Sequence, residues 1–176
     1  MEEIPGAILS KEIDGINLSS NKFADEIKDK TVLLVLLRYK GCIFCPQMVK
    51  DLKNIAENNS NYPEIIFIFQ GNAEQGKSFF NKYWPKAKAI ADPQREFYSD
   101  LKIQKATIGQ MFGQKVWMKG LEAIMHGNFV GIPIGDLRMM PGLFLLQDNK
   151  IVWKHNFEHI ADHPDFCKMP FTVDNL

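Results

Sequence analysis

Thr31-Val-Leu-Leu-Val-Leu-Leu-Arg-Tyr39 leads, two residues later, into Cys42-Ile43-Phe44-Cys45, and the junction between them decides how the chain is read. The first stretch is almost continuously apolar, the pattern of a central strand covered on both faces. From Phe44 to Asn58 the apolar residues Met48, Leu52 and Ile55 recur at spacings of four and three. That spacing predicts an amphipathic helix, ended by Asn58, Asn59 and Ser60. Both cysteines therefore stand where a buried strand gives way to a helix.

This placement has a chemical consequence. The first amide groups of a helix lack internal partners and carry partial positive charge, so they stabilise an anion. A thiolate is such an anion, and a cysteine there has a lowered pKa and greater reactivity. Two intervening residues bring a second sulfur within bonding reach, so that an intramolecular disulfide can form and release a bound partner. Cys42 is expected at the exposed helix entrance as the attacking thiol, with Cys45 about one turn further in as the resolving one. Arg38 and Lys40 lie close in sequence and add positive potential. The bland alternative is a structural pair in a redox-inactive binding module.

Outward from the junction, strands and helices alternate. Glu64–Gln70 reads as a second buried strand, and Ala73–Trp84 as a helix with Phe79, Phe80 and Tyr83 on its inner side and Pro85 as its stop. A short strand at Ala87–Ala91 precedes Asp92-Pro93, and Arg95–Leu101 makes a short helix. Leu143–Gln147 and Ile151–Lys154 flank Asp148-Asn149, a tight hairpin turn. The expected fold is α/β, a central mixed sheet with helices flanking it and antiparallel strands at one side. Thr107 to Asp136 fits this scheme least. It holds a predicted helix, Gln110–Met125, with Met111, Trp117, Met118, Leu121 and Met125 as apolar members, and then a loop marked by Gly127, Gly131, Pro133 and Gly135. The methionines, Met139 and Met140 included, and Trp84, Trp117 and Trp153 are expected mostly in the core. The whole, residues 1–176, reads as one domain with a helical insertion at about 105–135.

Composition narrows the classes of partner. Among 176 residues, 21 basic side chains balance 21 acidic ones, which gives no electrostatic reason to expect nucleic acid or an anionic membrane. The run Val32–Leu37 is far too short to span a bilayer, and the N-terminal Met-Glu-Glu-Ile-Pro lacks the pattern of a secretory signal. Three cysteines form an odd, sparse set, which points to a reducing, cytoplasmic setting and to catalysis by the close pair.

Two other motifs compete. Gly71-Asn72-Ala73-Glu74-Gln75-Gly76-Lys77-Ser78 matches the phosphate-binding pattern G-x-x-x-x-G-K-S between a strand and a helix, and Asp148 ends an apolar strand as a magnesium-binding acid would. His155, His159, His163 and Cys167 recur every four residues and, with Cys42 and Cys45, suggest zinc. Pro164 disfavours a helical His163, however, so the four do not share a helix. Neither a metal nor a cofactor is expected.

Met140-Pro141-Gly142 stands just before the strand Leu143-Phe144-Leu145-Leu146. A proline there cannot donate a ladder hydrogen bond, and its X-Pro bond can be cis. A C-x-x-C after the first long strand and a Met-Pro before a late hairpin resemble a thioredoxin-fold protein. That resemblance implies a cis-proline facing the cysteine pair, with Met140 and Pro141 opposite Cys42. The chain is most similar to the peroxiredoxin-like AhpC/TSA group, including its selenoprotein-L-like branch. The likeness lies in Asp14-Gly15, in Leu36-Leu37-Arg38-Tyr39-Lys40-Gly41-Cys42-Ile43-Phe44-Cys45 and in Ala91-Asp92-Pro93-Gln94-Arg95-Glu96-Phe97-Tyr98. Gly135-Asp136, Pro141-Gly142-Leu143-Phe144 and Ile151-Val152-Trp153-Lys154-His155 complete it.

The resemblance implies a thioredoxin-like fold and an antioxidant thiol oxidoreductase. Its substrate would be a protein or small-molecule disulfide or a peroxide, its reductant an external thiol, and it allows a homodimer. One departure bears on the chemistry. True peroxiredoxins carry Pro-x-x-x-Thr/Ser-x-x-Cys, and alignment on Cys45 puts Arg38 at the proline and Cys42 at the hydroxyl position. Two assignments follow: thiol–disulfide exchange with Cys42 attacking, or a peroxidase in which Cys45 meets peroxide and Cys42 resolves.

Overall fold

The structure, a computed structural model, describes residues 2–125, 133, 135–162 and 164–169. Its sheet has seven strands in the order β1-β7-β6-β3-β4-β5-β2. At the centre lie β3 (Val32–Tyr39), β4 (Glu64–Gln70) and β5 (Lys88–Ala91), paired in parallel. Against the other side of β3 runs the antiparallel β6 (Gly142–Gln147), followed by its hairpin partner β7 (Lys150–Lys154). Asp148 and Asn149 close that hairpin with φ of 50° and 59°. Two successive left-handed residues match the strand twist, which is why Asp-Asn suits the turn.

β3 explains why the sheet is covered on both faces. Side chains alternate along a strand, so Leu33, Val35 and Leu37 enter one apolar layer and Val32, Leu34 and Leu36 the other. The first layer is completed by α3 (Cys45–Asn58) and α4 (Ala73–Tyr83), through Met48, Val49, Leu52 and Phe80. The second is completed by α1 (Gly6–Leu9), α2 (Phe23–Ile27) and α5 (Glu96–Asp100), through Ile8, Phe23, Phe97 and Tyr98. The sheet edges are β1 (Glu2–Glu3) and β2 (Gly15–Ile16), each antiparallel to its neighbour. The sequence reading assigns no element before Thr31, and so lacks β1, α1, β2 and α2.

The predicted helix at Gln110–Met125 is corrected to two pieces. α6 (Ile108–Phe112) starts at a capping box formed by Thr107 and Gln110, and α7 (Gln114–Met125) follows after Gly113, which is extended at φ −65° and ψ 157°. The expected burial of their apolar residues is corrected as well. Met111 packs against the core and Val116 is buried, but Trp117, Met118, Leu121 and Met125 are exposed, Trp117 by 67%. Trp84, Met139 and Met140 are buried, as expected of core residues, and Trp153 is half-buried. The loop glycines Gly127 and Gly131 lie outside the described residues. Among the described residues no helix is long and apolar enough to cross a membrane.

Candidate active site

The site is built where β3 loses its regular pairing. The β3–β4 ladder shifts register between Leu36 and Tyr39, and the Tyr98 hydroxyl lies against the carbonyls of Leu37 and Ile68 at that break. Tyr98 thus fastens the ends of both central strands from the opposite face. Burial pushes its phenol far above the ordinary value, so it stays a neutral donor.

At the break Arg38 turns inward, 4% exposed, and spends its donors on three acceptors. Nε donates to the Met139 carbonyl at 3.1 Å, Nη2 to the Leu137 carbonyl at 2.6 Å, and Nη1 reaches Cys42 Sγ at 3.5 Å. The planar fork suits this division, since its donors point in fixed, separate directions. Arg38 thereby ties the strand carrying the cysteine loop to the segment leading into β6.

The chain then turns at Gly41, whose φ of 93° favours glycine. Cys42 follows in the turn, and Cys45 is the first residue of α3, with Pro46 next to it, where a missing N–H costs the helix nothing. The sequence reading placed Cys42 at an exposed helix entrance and Cys45 a turn further in. That is corrected in two respects: the helix begins at Cys45, and Cys42, 3% exposed, is as buried as Cys45, at 7%. Both thiols are free.

Their acidities are driven apart. Cys42 is lowered to about 6, first by the hydrogen bond from the Cys45 thiol, against the penalty of burial, and then by the Arg38 charge and the N–H groups of Phe44 and Cys45. Cys45 is pushed well above the usual thiol value by the same hydrogen bond, by burial and by the Cys42 charge. The two thiols titrate as a pair, and the donors favour the negative charge on Cys42. The structure brings Arg38 to Cys42 but not Lys40, which lines a small cavity beside Cys45 and has no bond to either thiol among the described residues. The positive potential at Cys42 is therefore Arg38's, a correction to the expected pair of cations.

Pro141 lines the narrow cleft that also holds Cys42, Cys45, Phe44 and Ile160. Its neighbour Met140 packs in the same buried layer, and its N–H donates to the Gln104 carbonyl at 3.1 Å. The expected cis bond is corrected: no peptide among the described residues is cis, so Met140–Pro141 is trans. Sequence reasoning missed Tyr98 and the carbonyls of Leu137 and Met139. The short strand end Ala91-Asp92-Pro93 carried a hint, because buried Asp92 caps α5 through the N–H groups of Glu96 and Phe97 and so fixes Tyr98.

The competing motifs take ordinary structural roles. α4 already begins at Ala73, with the Asn72 side chain accepting the Gln75 N–H at 2.9 Å and Gln75 returning the bond to Asn72. Gly76 lies inside the helix against the Phe69 ring, and Lys77 is exposed. No open loop is left to cradle phosphate, so the nucleotide reading of Gly71–Ser78 is withdrawn. His155 Nε2 lies 3.2 Å from Asp162 Oδ2, and Cys167 is exposed in a short 3-10 turn, Phe166–Lys168. His163 lies outside the described residues, and among those described no three potential metal ligands converge.

The solved structures with a similar backbone agree with this architecture. Reduced Prx3 of Vibrio vulnificus in complex with hydrogen peroxide is similar at a TM-score of 0.56 and 9% identity, over 88% of this chain and 86% of that one. A cysteine-to-serine variant of peroxiredoxin 6 of Arenicola marina gives 0.60 at 12% identity, over 90% of this chain and 66% of that one. The fold is thioredoxin-like. Among curated proteins none matches the chain in sequence. The family described as AhpC/TSA antioxidant enzyme matches residues 48–159, more than half of the chain, starting just past the cysteine pair. Family and fold together put the chemistry in the general class of thiol oxidoreductases and peroxidases. The chain belongs to the AhpC/TSA antioxidant enzyme family.

Proposed function

We propose that this protein is a thiol–disulfide oxidoreductase in which Cys42 attacks and Cys45 resolves. The observation that carries the reading is the larger set of donors at one sulfur: Arg38 Nη1, the Cys45 thiol and the N–H groups of Phe44 and Cys45 serve Cys42, whereas Cys45 is helped by the Arg38 backbone N–H and charge. A thiolate stabilised in this way persists at neutral pH and is the nucleophile. It attacks one sulfur of a substrate disulfide; a Cys42–substrate bond forms, the substrate S–S bond breaks, and one half leaves as a thiol. Cys45 then attacks Cys42, forming the internal disulfide and releasing the second half. The substrate has gained two electrons, and an external thiol restores the pair by the reverse exchange.

Engagement of Cys42 itself primes the second step. Once Cys42 is a neutral mixed disulfide, it no longer accepts the Cys45 hydrogen bond or repels a Cys45 thiolate, and these are two of the three influences that raise Cys45. The reading with Cys45 as the peroxide-reacting thiol is weaker, because Cys45 is the protonated member of the pair. Peroxide remains an admissible oxidant at Cys42, with the sulfenic acid resolved by Cys45.

The expected substrates are protein or small-molecule disulfides, and the expected reductant is a cellular thiol. Turnover of a model disulfide with excess dithiothreitol, and of hydrogen peroxide under the same conditions, tests the assignment. Loss of both in Cys42→Ser is the expected result, and undiminished turnover in that variant overturns it.

A further inference from the structure

Cys42 is 3% exposed, and the cleft over it has room for about 10 Å³. A water needs roughly 10–15 Å³ on the same measure, so at most one fits. A disulfide does not, because the attacking sulfur must line up with both sulfurs of the S–S bond. One wall of the cleft therefore has to move before Cys42 can attack.

The walls are held unequally. Leu37 and Arg38 belong to the central strand β3, and Arg38 holds two carbonyls of the segment before Pro141. Pro141 is fixed further by the bond from the Met140 N–H to the Gln104 carbonyl and by β6, which pairs with β3 from Gly142 onward. Phe44, Cys45 and Met48 stand at the start of α3, itself packed into the core. The remaining wall is Ile160, on an irregular strap, residues 156–162, that follows β7.

The strap is lightly fastened. Only Ile160 and Ala161 of it are buried. Asp162 Oδ2 accepts the Glu158 N–H and lies 3.2 Å from His155 Nε2, which folds the strap on itself. Gln110 of α6 tethers it: its carbonyl accepts the Ile160 N–H at 3.3 Å, and its Nε2 donates to the Glu158 carbonyl at 3.1 Å. No residue of α6 is buried, so the tether rests on a loosely packed element. His159 Nδ1 is buried in the closed strap with no partner among the described residues, a cost that opening to water removes.

We propose that the strap is a gate over the two thiols, and that Ile160 is a specificity-determining residue that selects oxidants by size. A compact oxidant passes Ile160 with less opening than a disulfide needs. The inference rests on the assignment of Cys42 as attacker. The gate adds no bond-making step: Cys42 still attacks the S–S bond, and one half leaves as a thiol.

Ile160→Ala and Gln110→Glu test the gate, each in a Cys167→Ser background that removes the exposed third thiol. Gln110→Glu keeps an oxygen for the Thr107 N–H of the capping box but loses the donor to the Glu158 carbonyl. The first release of thiopyridone from 4,4′-dithiodipyridine reports attack on a disulfide. Loss of the thiol pair in hydrogen peroxide, read by intact-protein mass spectrometry, reports attack on a compact oxidant. Ile160→Ala removes buried carbons from the closed form, so the first release should be about tenfold faster. The gain with hydrogen peroxide should be about threefold or less. Gln110→Glu should give the same ordering. The pH midpoint of the first release should stay at its parent value in both, since no donor to Cys42 is touched. Equal gains with the two oxidants, or no gain with the disulfide in the folded variants, overturn the gate. A first release that persists in Cys42→Ser overturns the underlying assignment of Cys42 instead.

Discussion

Arg38 Nη1 lies 3.5 Å from Cys42 Sγ, while the same guanidinium holds the carbonyls of Leu137 and Met139. One side chain therefore favours the charge on Cys42 and also fixes the position of the segment that leads into Pro141. Arg38→Met retains length but removes all three donors. Its expected effect is a rise of the Cys42 pKa from about 6 toward 9.0. Each unit of rise above neutral pH lowers the thiolate fraction about tenfold, and iodoacetamide alkylation of Cys42 at neutral pH, followed by peptide mass spectrometry, reads that loss.

Cys45 influences Cys42 more strongly than Arg38 does, since its thiol hydrogen bond is the foremost cause of the lowered value. In the parent protein the alkylation rate of Cys42 should climb through a midpoint of about 6 and then level off. Cys45→Ala removes the donor, so the midpoint should move alkaline, whereas Cys45→Ser keeps a hydroxyl donor and should move it less. A midpoint at the ordinary thiol value in the parent protein contradicts the described donor shell.

Tyr98 carries a prediction about stability. Tyr98→Phe leaves the buried carbonyls of Leu37 and Ile68 without their shared donor. An unsatisfied buried group costs about 1–3 kcal/mol, and denaturant unfolding should show a loss of that size. Because the hydroxyl fastens β3 next to Arg38, the same variant should also slow Cys42 alkylation.

Acid stability follows from Glu26, a carboxylate buried in α2. Burial pushes it up, but the Lys88 ammonium at 2.6 Å and the N–H groups of Ser19 and Ser20 outweigh that and hold it below 4.5. A carboxylate with a lowered folded pKa stabilises the fold above its unfolded value, and that contribution is lost as pH falls through the folded one. Thermal unfolding should therefore show stability falling below about pH 4.5, less steeply in Glu26→Gln, whose starting stability is already reduced.

Much of this was legible in the residues. The continuous apolar run Val32–Leu37 read as a strand covered on both faces, and Asp148-Asn149 between two apolar runs read as a tight turn. The Cys42–Cys45 spacing at that strand's end pointed to the candidate site. What stayed hidden depends on contacts far apart in the chain. Nothing near Arg38 in sequence announces the carbonyls of Leu137 and Met139 as its partners, and Tyr98 reads as one more aromatic. Spacing also misled where the apolar period continued without burial: Trp117, Met118, Leu121 and Met125 look like a core face, yet α7 leaves them exposed. The G-x-x-x-x-G-K-S match failed for a local reason, since Asn72 and Gln75 make an efficient capping box and start the helix early.

The central claim is that Cys42 alone attacks. Intact-protein and peptide mass spectrometry of Cys45→Ser and Cys42→Ser after brief exposure to a small disulfide tests it directly. A stable mixed disulfide on Cys42 in the first variant, with Cys45 unmodified in the second, is the predicted result. A mixed disulfide forming readily on Cys45 in Cys42→Ser, with Cys42 unmodified in Cys45→Ser, would contradict it.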